Sequence, residues 1–201
     1  MLATNARINL KSLHIDFKNK IRAFVAIKII RKKLNCFCFR NIKIMSNYHL
    51  AEINIAKMKG VDINDPIMKE FVDNLDFVNT LAEKSEGFVW RLKDDTDNAT
   101  SLNPYNDEQI IINVSVWENI ETLEHYMYKT FHSEFLKRRK EWFQKFGKAH
   151  TAMWWIPKGH IPTLEEAVEK LDYLQQNRAS ELVFDLKNKF PSPSLNKTKA
   201  K

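Results

Sequence analysis

The sequence predicts an α+β fold in which helices combine with one antiparallel four-stranded sheet. Three observations predict it. Residues 109–117 alternate between a wholly apolar face and a mixed one, as a half-buried strand does. Asp65-Pro66 opens a segment with apolar residues at helical spacing, and Thr163-x-x-Glu166 is a capping box that starts a last helix. The full order is β-α-β-β-α-β plus one C-terminal helix, which is the ferredoxin-like arrangement.

The elements before the central strand follow from local patterns. Residues 49–55 alternate as a strand does. After the N-cap Asp65, apolar side chains recur every three or four positions and predict one helix with one buried stripe. That stripe is made of Ile67, Phe71, Leu75, Val78 and Ala82. Gly87 ends the helix, and residues 88–93 form the second strand.

The later elements are predicted in the same way. Residues 94–108 are acids and turn-formers, hence a loop. Asn119 caps a helical region over about 120–146, with a break near Thr130. Residues 151–156 are a fourth strand with two apolar faces. The last helix turns five apolar residues inward: Leu164, Ala167, Val168, Leu171 and Leu174.

The excess of positive over negative charge lies in the first 44 residues and the Lys-rich end of the chain. Residues 1–44 hold eleven Lys or Arg and one acid, so they carry +10, whereas the whole chain carries +7. Residues 45–180 hold 16 basic and 22 acidic side chains. A mildly acidic body offers no electrostatic footprint for a phosphate backbone, which argues against nucleic-acid binding.

We divide the chain into a basic leader (1–44), a folded domain (45–190) and a disordered Lys-rich tail (191–201). The leader has no apolar run long enough for a membrane span or a signal peptide. We expect a disordered arm or a start-site artefact, with a targeting or membrane-surface role as the alternative. Both cysteines, Cys36 and Cys38, lie there, so the domain needs no disulfide, which fits a cytoplasmic protein. The domain also shows no metal-ligand spacing.

The two faces of the predicted sheet raise the question of a partner. Two helices cover one face only, and the other carries Leu50, Ile111, Trp117 and one tryptophan of the fourth strand. An apolar face does not stay bare in water. We therefore expect a homodimer, packed through this open sheet face around a cavity.

Two motifs resemble known families. Asn113-x-x-x-Trp117, followed by a helix and by His132 before a second helix, is similar to the dimeric α/β-barrel superfamily that includes the antibiotic-biosynthesis monooxygenases. The stretches HSEFLKRRKEWF (132–143) and WWIPKGHIP (154–162) resemble a family within it, the uncharacterised bacterial domain of unknown function numbered 3291. The resemblance implies a fold and a dimer, but no proven reaction. The chain departs from that family by lacking the usual Gly-Pro before the closing aromatic segment.

His132 and Asn113 are the candidate catalytic residues. For His132 the open roles are a general base, a haem ligand, or a structural histidine bonded to a backbone carbonyl. In the monooxygenases, residues similar to Asn113 and Trp117 hold substrate and oxygen without a cofactor. The resemblance therefore implies no cofactor, with haem as the alternative. The structural alternative for both residues is a dimer interface with bridging water.

Five side chains are candidates for binding a small molecule: Asn54, Trp117, Arg138, Trp154 and Trp155. Arg138 is suited to a carboxylate or phosphate, although a basic run on a helix is also typical of a solvated face. Trp154 and Trp155 point to opposite faces, so one belongs to the core and the other is open to a pocket. We expect a cavity between the sheet and the His132 segment, where Asn54 and Asn113 converge.

Two classes of function stay open. The first is a cofactor-independent monooxygenase-like or isomerase-like enzyme that acts on a small apolar or aromatic substrate. The second is a non-catalytic ligand-binding or structural dimer. A basic lumen with His132 pointing inward favours the enzyme, whereas a small dry lumen sealed by aromatic side chains favours the structural dimer.

Deleting residues 1–44 should leave the melting temperature of the domain essentially unchanged, because this segment lacks the periodicity and caps of a packed element. Differential scanning calorimetry of the full and shortened chains tests this. A fall of more than a few degrees in the shortened chain would show that the leader contributes to the fold.

Overall fold

In the computed structural model, residues 46–193 are described, and an antiparallel sheet of four strands lies at their centre. The strands are β1 (Tyr48–Lys57), β2 (Phe88–Arg91), β3 (Ile110–Trp117) and β4 (Thr151–Pro157). They lie in the order β2-β3-β1-β4, and each neighbouring pair is antiparallel. The predictions for the leader and for residues 194–201 of the tail fall outside the described residues.

Helices occupy the segments between and after the strands. They are α1 (Lys69–Asp73), α2 (Leu75–Glu83), α3 (Ile120–Lys129), α4 (His132–Arg138) and α5 (Leu164–Gln176), with a 3₁₀ turn at Pro66–Met68 before α1. The predicted caps are confirmed, since Asp65, Asn119 and Thr163 each accept a backbone N–H with their side chains. In the described part of the chain, no helix is both long and apolar enough to cross a bilayer.

Two predicted helices are shorter than the sequence suggested. The single helix after Asp65 is wrong, because the chain turns at Asn74, whose amide donates to the Glu70 carbonyl and competes with the helical pattern. Ile67, which was predicted to belong to the buried stripe, is 46% exposed and lies in the 3₁₀ turn before α1. The helical region expected to reach about residue 146 ends at Arg138. Beyond it the chain runs beside the end of β1, where Gln144 N–H donates to the Lys57 carbonyl at 2.8 Å.

One face of the sheet, here called the Ile53 face, is packed against α5. Ala51, Ile53 and Ile55 of β1 are each no more than 2% exposed and contact apolar side chains of β3 and β4. Ala167 and Leu171 of α5 are fully buried against them, as the spacing of the last helix predicted. The C-terminal helix is therefore the cover of the Ile/Val-rich face.

The opposite face, here called the Glu52 face, is also covered by the chain itself. Leu50 is 0% exposed and Trp117 is 1% exposed, packed against Ala82 of α2 and residues of α3. Ile111 packs in a separate cluster with Met58 and Trp142. The prediction that this face lacks helices is wrong, because α5 takes the Ile53 face and α2 and α3 remain for this one. The homodimer itself stays a prediction.

The segment after α5 closes the outer edge of β4. Phe184 and Met153 exchange two backbone hydrogen bonds, at 2.7 and 2.9 Å. The Trp155 indole N–H then donates to the Phe190 carbonyl at 3.0 Å. Farther on, Ser192 is 3% exposed, and its hydroxyl lies 2.7 Å from that of Ser46. Both ends of the described chain therefore meet beside the sheet.

Three glycines provide a graded test of this packing. Gly87 has φ +76°, and an added Cβ would fall on the Thr122 side chain. Gly159 has φ +89° but open space around the Cβ position, and Gly147 meets nothing and needs no positive φ. We expect Gly87→Ala to lose more than about 2 kcal/mol, Gly159→Ala about 1 kcal/mol, and Gly147→Ala almost nothing.

Urea unfolding of the three variants beside the unaltered chain measures these differences. Equal losses for Gly87→Ala and Gly159→Ala would show that contact with Thr122 is not what constrains the turn before β2.

Candidate functional site

Four polar side chains form a band across the Glu52 face between two apolar clusters. On one side lies the cluster of Leu50 and Trp117, and on the other that of Met58 and Trp142. The strand register pairs β1 with β3 residue by residue in this region. The members of this polar band are Glu52 opposite Ser115 and Asn54 opposite Asn113.

Glu52 is the central group of the polar band. It is 4% exposed, Asn54 Nδ2 donates to its Oε1 at 2.9 Å, and Ser115 Oγ donates to its Oε2 at 3.1 Å. Within residues 46–193 it forms no ion pair. Burial raises the pKa of Glu52 to about 7, while the two hydrogen bonds act in the opposite direction. A carboxyl group of this kind can gain and lose a proton near neutral pH.

Trp117 fixes the direction of the hydrogen bonds that lead to Glu52. Its indole N–H donates to Ser115 Oγ at 3.0 Å. Because an indole nitrogen can only donate, Ser115 accepts from Trp117 and uses its own proton for Glu52. The hydrogen bonds are therefore donated in one direction, from Trp117 to Ser115 and from Ser115 to Glu52.

Aromatic rings pack around Trp117 at one end of the polar band. Trp117 stacks on Tyr126 of α3, with centroids 5.1 Å apart and planes at 26°, and meets the edge of Phe88 at 5.4 Å. Burial raises the pKa of Tyr126, and the nearby Glu52 carboxyl raises it further. The phenol therefore stays protonated, and its hydroxyl points to the Val78 carbonyl at 3.4 Å.

His132 lies beside the aromatic rings rather than on the carboxyl group. Its ring is 4.6 Å from that of Tyr126, and its Nδ1 lies 3.4 Å from the Met127 carbonyl. A carbonyl only accepts, so Nδ1 carries the proton and Nε2 keeps its lone pair. Burial lowers the pKa of His132, which favours the neutral imidazole.

The two asparagines are the part of the polar band that reaches solvent. Asn54 and Asn113 are register partners and both are half-exposed, so their predicted convergence is observed. Asn54 donates to Glu52, whereas the Asn113 amide makes no hydrogen bond within the described residues. An approaching molecule would therefore meet Asn113 and the free end of Asn54 first.

The remaining predicted binding residues lie away from the polar band or are already bonded. Arg138 forms hydrogen bonds to both Glu70 and Glu141, and its guanidinium lies 5.0 Å from the centroid of Trp142. Trp154 is buried in the Ile53-face core, and Trp155 lies on the Glu52 face, so their predicted opposite directions are observed. Asn54 and Asn113 are register partners, and His132 is connected to Trp117 through the ring of Tyr126, which contacts both.

Sequence reasoning missed the central acid. Glu52, Ser115 and Tyr126 are not among the candidate site residues identified from the sequence. The available signal is a single carboxylate flanked by apolar residues in a predicted strand. Its importance depends on burial, which strand alternation alone does not reveal.

Two surface pockets of ≈ 450 and ≈ 350 Å³ lie elsewhere on the protein. The larger is lined by residues including Glu70 and Trp142, and the smaller lies along β2 near Val89. Neither includes the polar band, so the predicted cavity at His132 stays a prediction. No group of three or more His, Cys, Asp or Glu that could hold a metal occurs within residues 46–193. The haem alternative also stays untested.

Comparisons with known proteins place the chain in a family but not in a pathway. No curated protein matches it. Among solved structures it is similar to SnoaB, a cofactor-independent oxygenase from Streptomyces nogalater, at 11% identity and a TM-score of 0.38, over 58% of this chain and 96% of that one. It is also similar to NE2512, a protein of unknown function from Nitrosomonas europaea, at 8% identity and a TM-score of 0.38, over 59% and 96%.

The family match covers most of the chain. Residues 49–200 match the family described as Domain of unknown function (DUF3291), in agreement with the resemblance of residues 132–143 and 154–162. This range contains both asparagines of the polar band, its acid and its serine, together with all four strands except the first residue of β1. The chain therefore belongs to the DUF3291 family.

Proposed function

We propose that the protein binds a small, largely apolar or aromatic molecule at the polar band. Glu52 removes a proton from this molecule and returns it to another of its atoms. The observation that carries this proposal is a buried carboxyl group held by Asn54 and Ser115 without a cation. Such a group is ionised often enough to remove a proton and neutral often enough to return it at physiological pH.

The reaction class that fits is an isomerase-like proton transfer. Glu52 would take a proton from a carbon made acidic by a neighbouring carbonyl and return it to another atom of the same molecule. In the monooxygenase-like variant, the carbanion left behind would react directly with dioxygen. Both variants need the same base, and both fit a site with no resident cofactor.

The other residues of the polar band have roles that follow from their positions. Asn113 and Asn54 are half-exposed and can bind polar atoms of the ligand. Trp117 acts through Ser115 to orient Glu52. His132 has a free Nε2 and a favoured neutral form, which suits a second proton acceptor if the ligand extends along Tyr126.

We also propose the ferredoxin-like class, the homodimer and the cytoplasmic location. The strand order β2-β3-β1-β4 with antiparallel neighbours supports the first. Leu50 and Trp117 are already buried within one chain, so a dimer would need surfaces other than that predicted face.

A non-catalytic role is the second candidate, and one observation favours it. Trp117 is 1% exposed between Phe88 and Tyr126, which is the aromatic seal expected of a structural or ligand-carrying protein. The two candidates differ in whether Glu52 exchanges its proton with a bound molecule.

Glu52→Gln should remove a pH dependence of stability. Because the folded pKa of about 7 exceeds the ordinary 4.5, the protonated form favours folding. The associated stability is complete below pH 4.5 and is lost as pH rises through 7, by about 3 kcal/mol in total. The variant should therefore match the unaltered protein at low pH and exceed it above pH 7.

Urea unfolding across this pH range measures the difference between the two proteins. A difference that does not change with pH would show that Glu52 titrates alike in the folded and unfolded states, and would remove the basis of the acid–base role.

Asn113→Leu should abolish binding of a co-purified small molecule while keeping or raising stability, because the Asn113 amide has no internal partner to lose. Native mass spectrometry of the full chain detects the bound molecule, and Asn64→Leu is the control, since Asn64 is exposed and outside the polar band. Destabilisation without any change in bound mass would assign Asn113 a structural role.

A further inference from the structure

The neutral form of Glu52 poses a hydrogen-bonding problem. Both of its oxygens accept hydrogen bonds, from Asn54 and from Ser115, and the side chain is 4% exposed. This arrangement satisfies the ionised carboxylate. Once the carboxyl is protonated it becomes a donor, and a buried donor without an acceptor is costly.

Ser115 is poorly placed to become that acceptor. Its hydroxyl accepts from the Trp117 indole and has one proton, which is directed at Glu52. If Glu52 donated to Ser115, the serine proton would need a new acceptor. Trp117 cannot serve, because its nitrogen only donates.

Asn54 differs from Ser115 because its amide has two chemically distinct ends. Nδ2 donates to Glu52 Oε1 at 2.9 Å, and Oδ1 forms no hydrogen bond within the described residues. The side chain is half-exposed, so a rotation about its terminal torsion does not require the core to repack. After half a turn, Oδ1 would face Glu52 and Nδ2 would face Asn113 and the open side.

We propose that the Asn54 amide rotates by half a turn whenever Glu52 changes protonation state. When Glu52 is ionised, Asn54 presents its Oδ1 acceptor to the open side of the site, and when Glu52 is neutral, Asn54 presents its Nδ2 donor there. This inference rests on the proposed acid–base role of Glu52. It makes Asn54 a group that changes its hydrogen-bonding character during the reaction, rather than a fixed ligand contact.

The reversal matches the charge changes of an enolisation. When Glu52 Oε1 removes a proton from carbon, the C–H electron pair forms a C=C bond and the carbonyl electron pair moves onto oxygen. The developing oxyanion then meets the Nδ2–H donor that the reversed Asn54 presents. Return of the proton from Glu52 to another atom of the molecule restores the carboxylate and the original amide orientation, with no other reactant consumed.

The charged and titratable groups around Glu52 are bonded elsewhere or keep one protonation state. Asn54 is therefore the group that can respond when Glu52 gains or loses a proton. Arg91 of β2 is opposite Ser115 in the register, but its guanidinium is bonded to Glu83 and Asp97. Tyr126 of α3 stays protonated, and His132 of α4 faces Tyr126. Met153 of β4 and Phe184 of the C-terminal segment are apolar.

Two matched substitutions separate a reversing amide from a fixed donor. Asn54→Leu and Ser115→Ala each delete a hydrogen bond to Glu52 with little change in shape. A fixed donor stabilises the carboxylate only, so Ser115→Ala should raise the titration midpoint of Glu52 by about one pH unit or more. A reversing amide stabilises both forms, so Asn54→Leu should move the midpoint far less.

The midpoints are measured on the full chain from the side-chain carboxyl ¹³C signal of Glu52, assigned with Glu52→Gln. An upward shift in Asn54→Leu as large as that in Ser115→Ala would overturn the reversal while leaving the acid–base role of Glu52 intact. A midpoint at the ordinary glutamate value in the unaltered protein would overturn both.

A second measurement needs no folded Asn54 variant. In the unaltered protein, the Asn54 side-chain N–H signals should shift with the midpoint of Glu52, and their exchange with water should accelerate as Nδ2 turns outward. In Glu52→Gln the same signals should not follow pH. Asn54 signals that stay constant while Glu52 titrates would overturn the proposal.

Discussion

A single sheet with two apolar faces has to be covered on both, and this constraint organises the protein. The Ile53 face packs against α5, while the Glu52 face packs against α2, α3 and the segment that contains Phe184. Covering both faces within one chain buries the strands deeply. Residues of β1 between Leu50 and Ile53 are consequently no more than 4% exposed, whatever their polarity.

The burial of Glu52 follows from that constraint and raises the pKa of its carboxyl group. In water the carboxyl group would be ionised at neutral pH, but here desolvation outweighs the hydrogen bonds from Asn54 and Ser115. The apolar clusters on either side of the polar band supply no countercharge to Glu52. The proposed proton transfer depends on this combination of environments.

Sequence patterns identified some residues of the candidate site and not others, and the physical reason differs between residues. Asn113 and Trp117 were found because they follow a motif, and Asn54 because it shares the polar side of its strand. Glu52 was not found, since an acid in a strand is ordinarily solvated. Arg138 was chosen for its charge, yet Glu70 and Glu141 already bind it.

The sequence by itself determined the strands, the N-caps at Asp65, Asn119 and Thr163, and the family, because these depend on alternation, short-range hydrogen bonds and local motifs. Only the tertiary structure decided which helix covers which face, where the helices stop, and that Glu52 is buried beside Ser115. Those outcomes depend on contacts between residues far apart in the chain, such as the 63-residue separation that the Glu52–Ser115 hydrogen bond spans. A local sequence pattern does not specify which distant residues will pack against it.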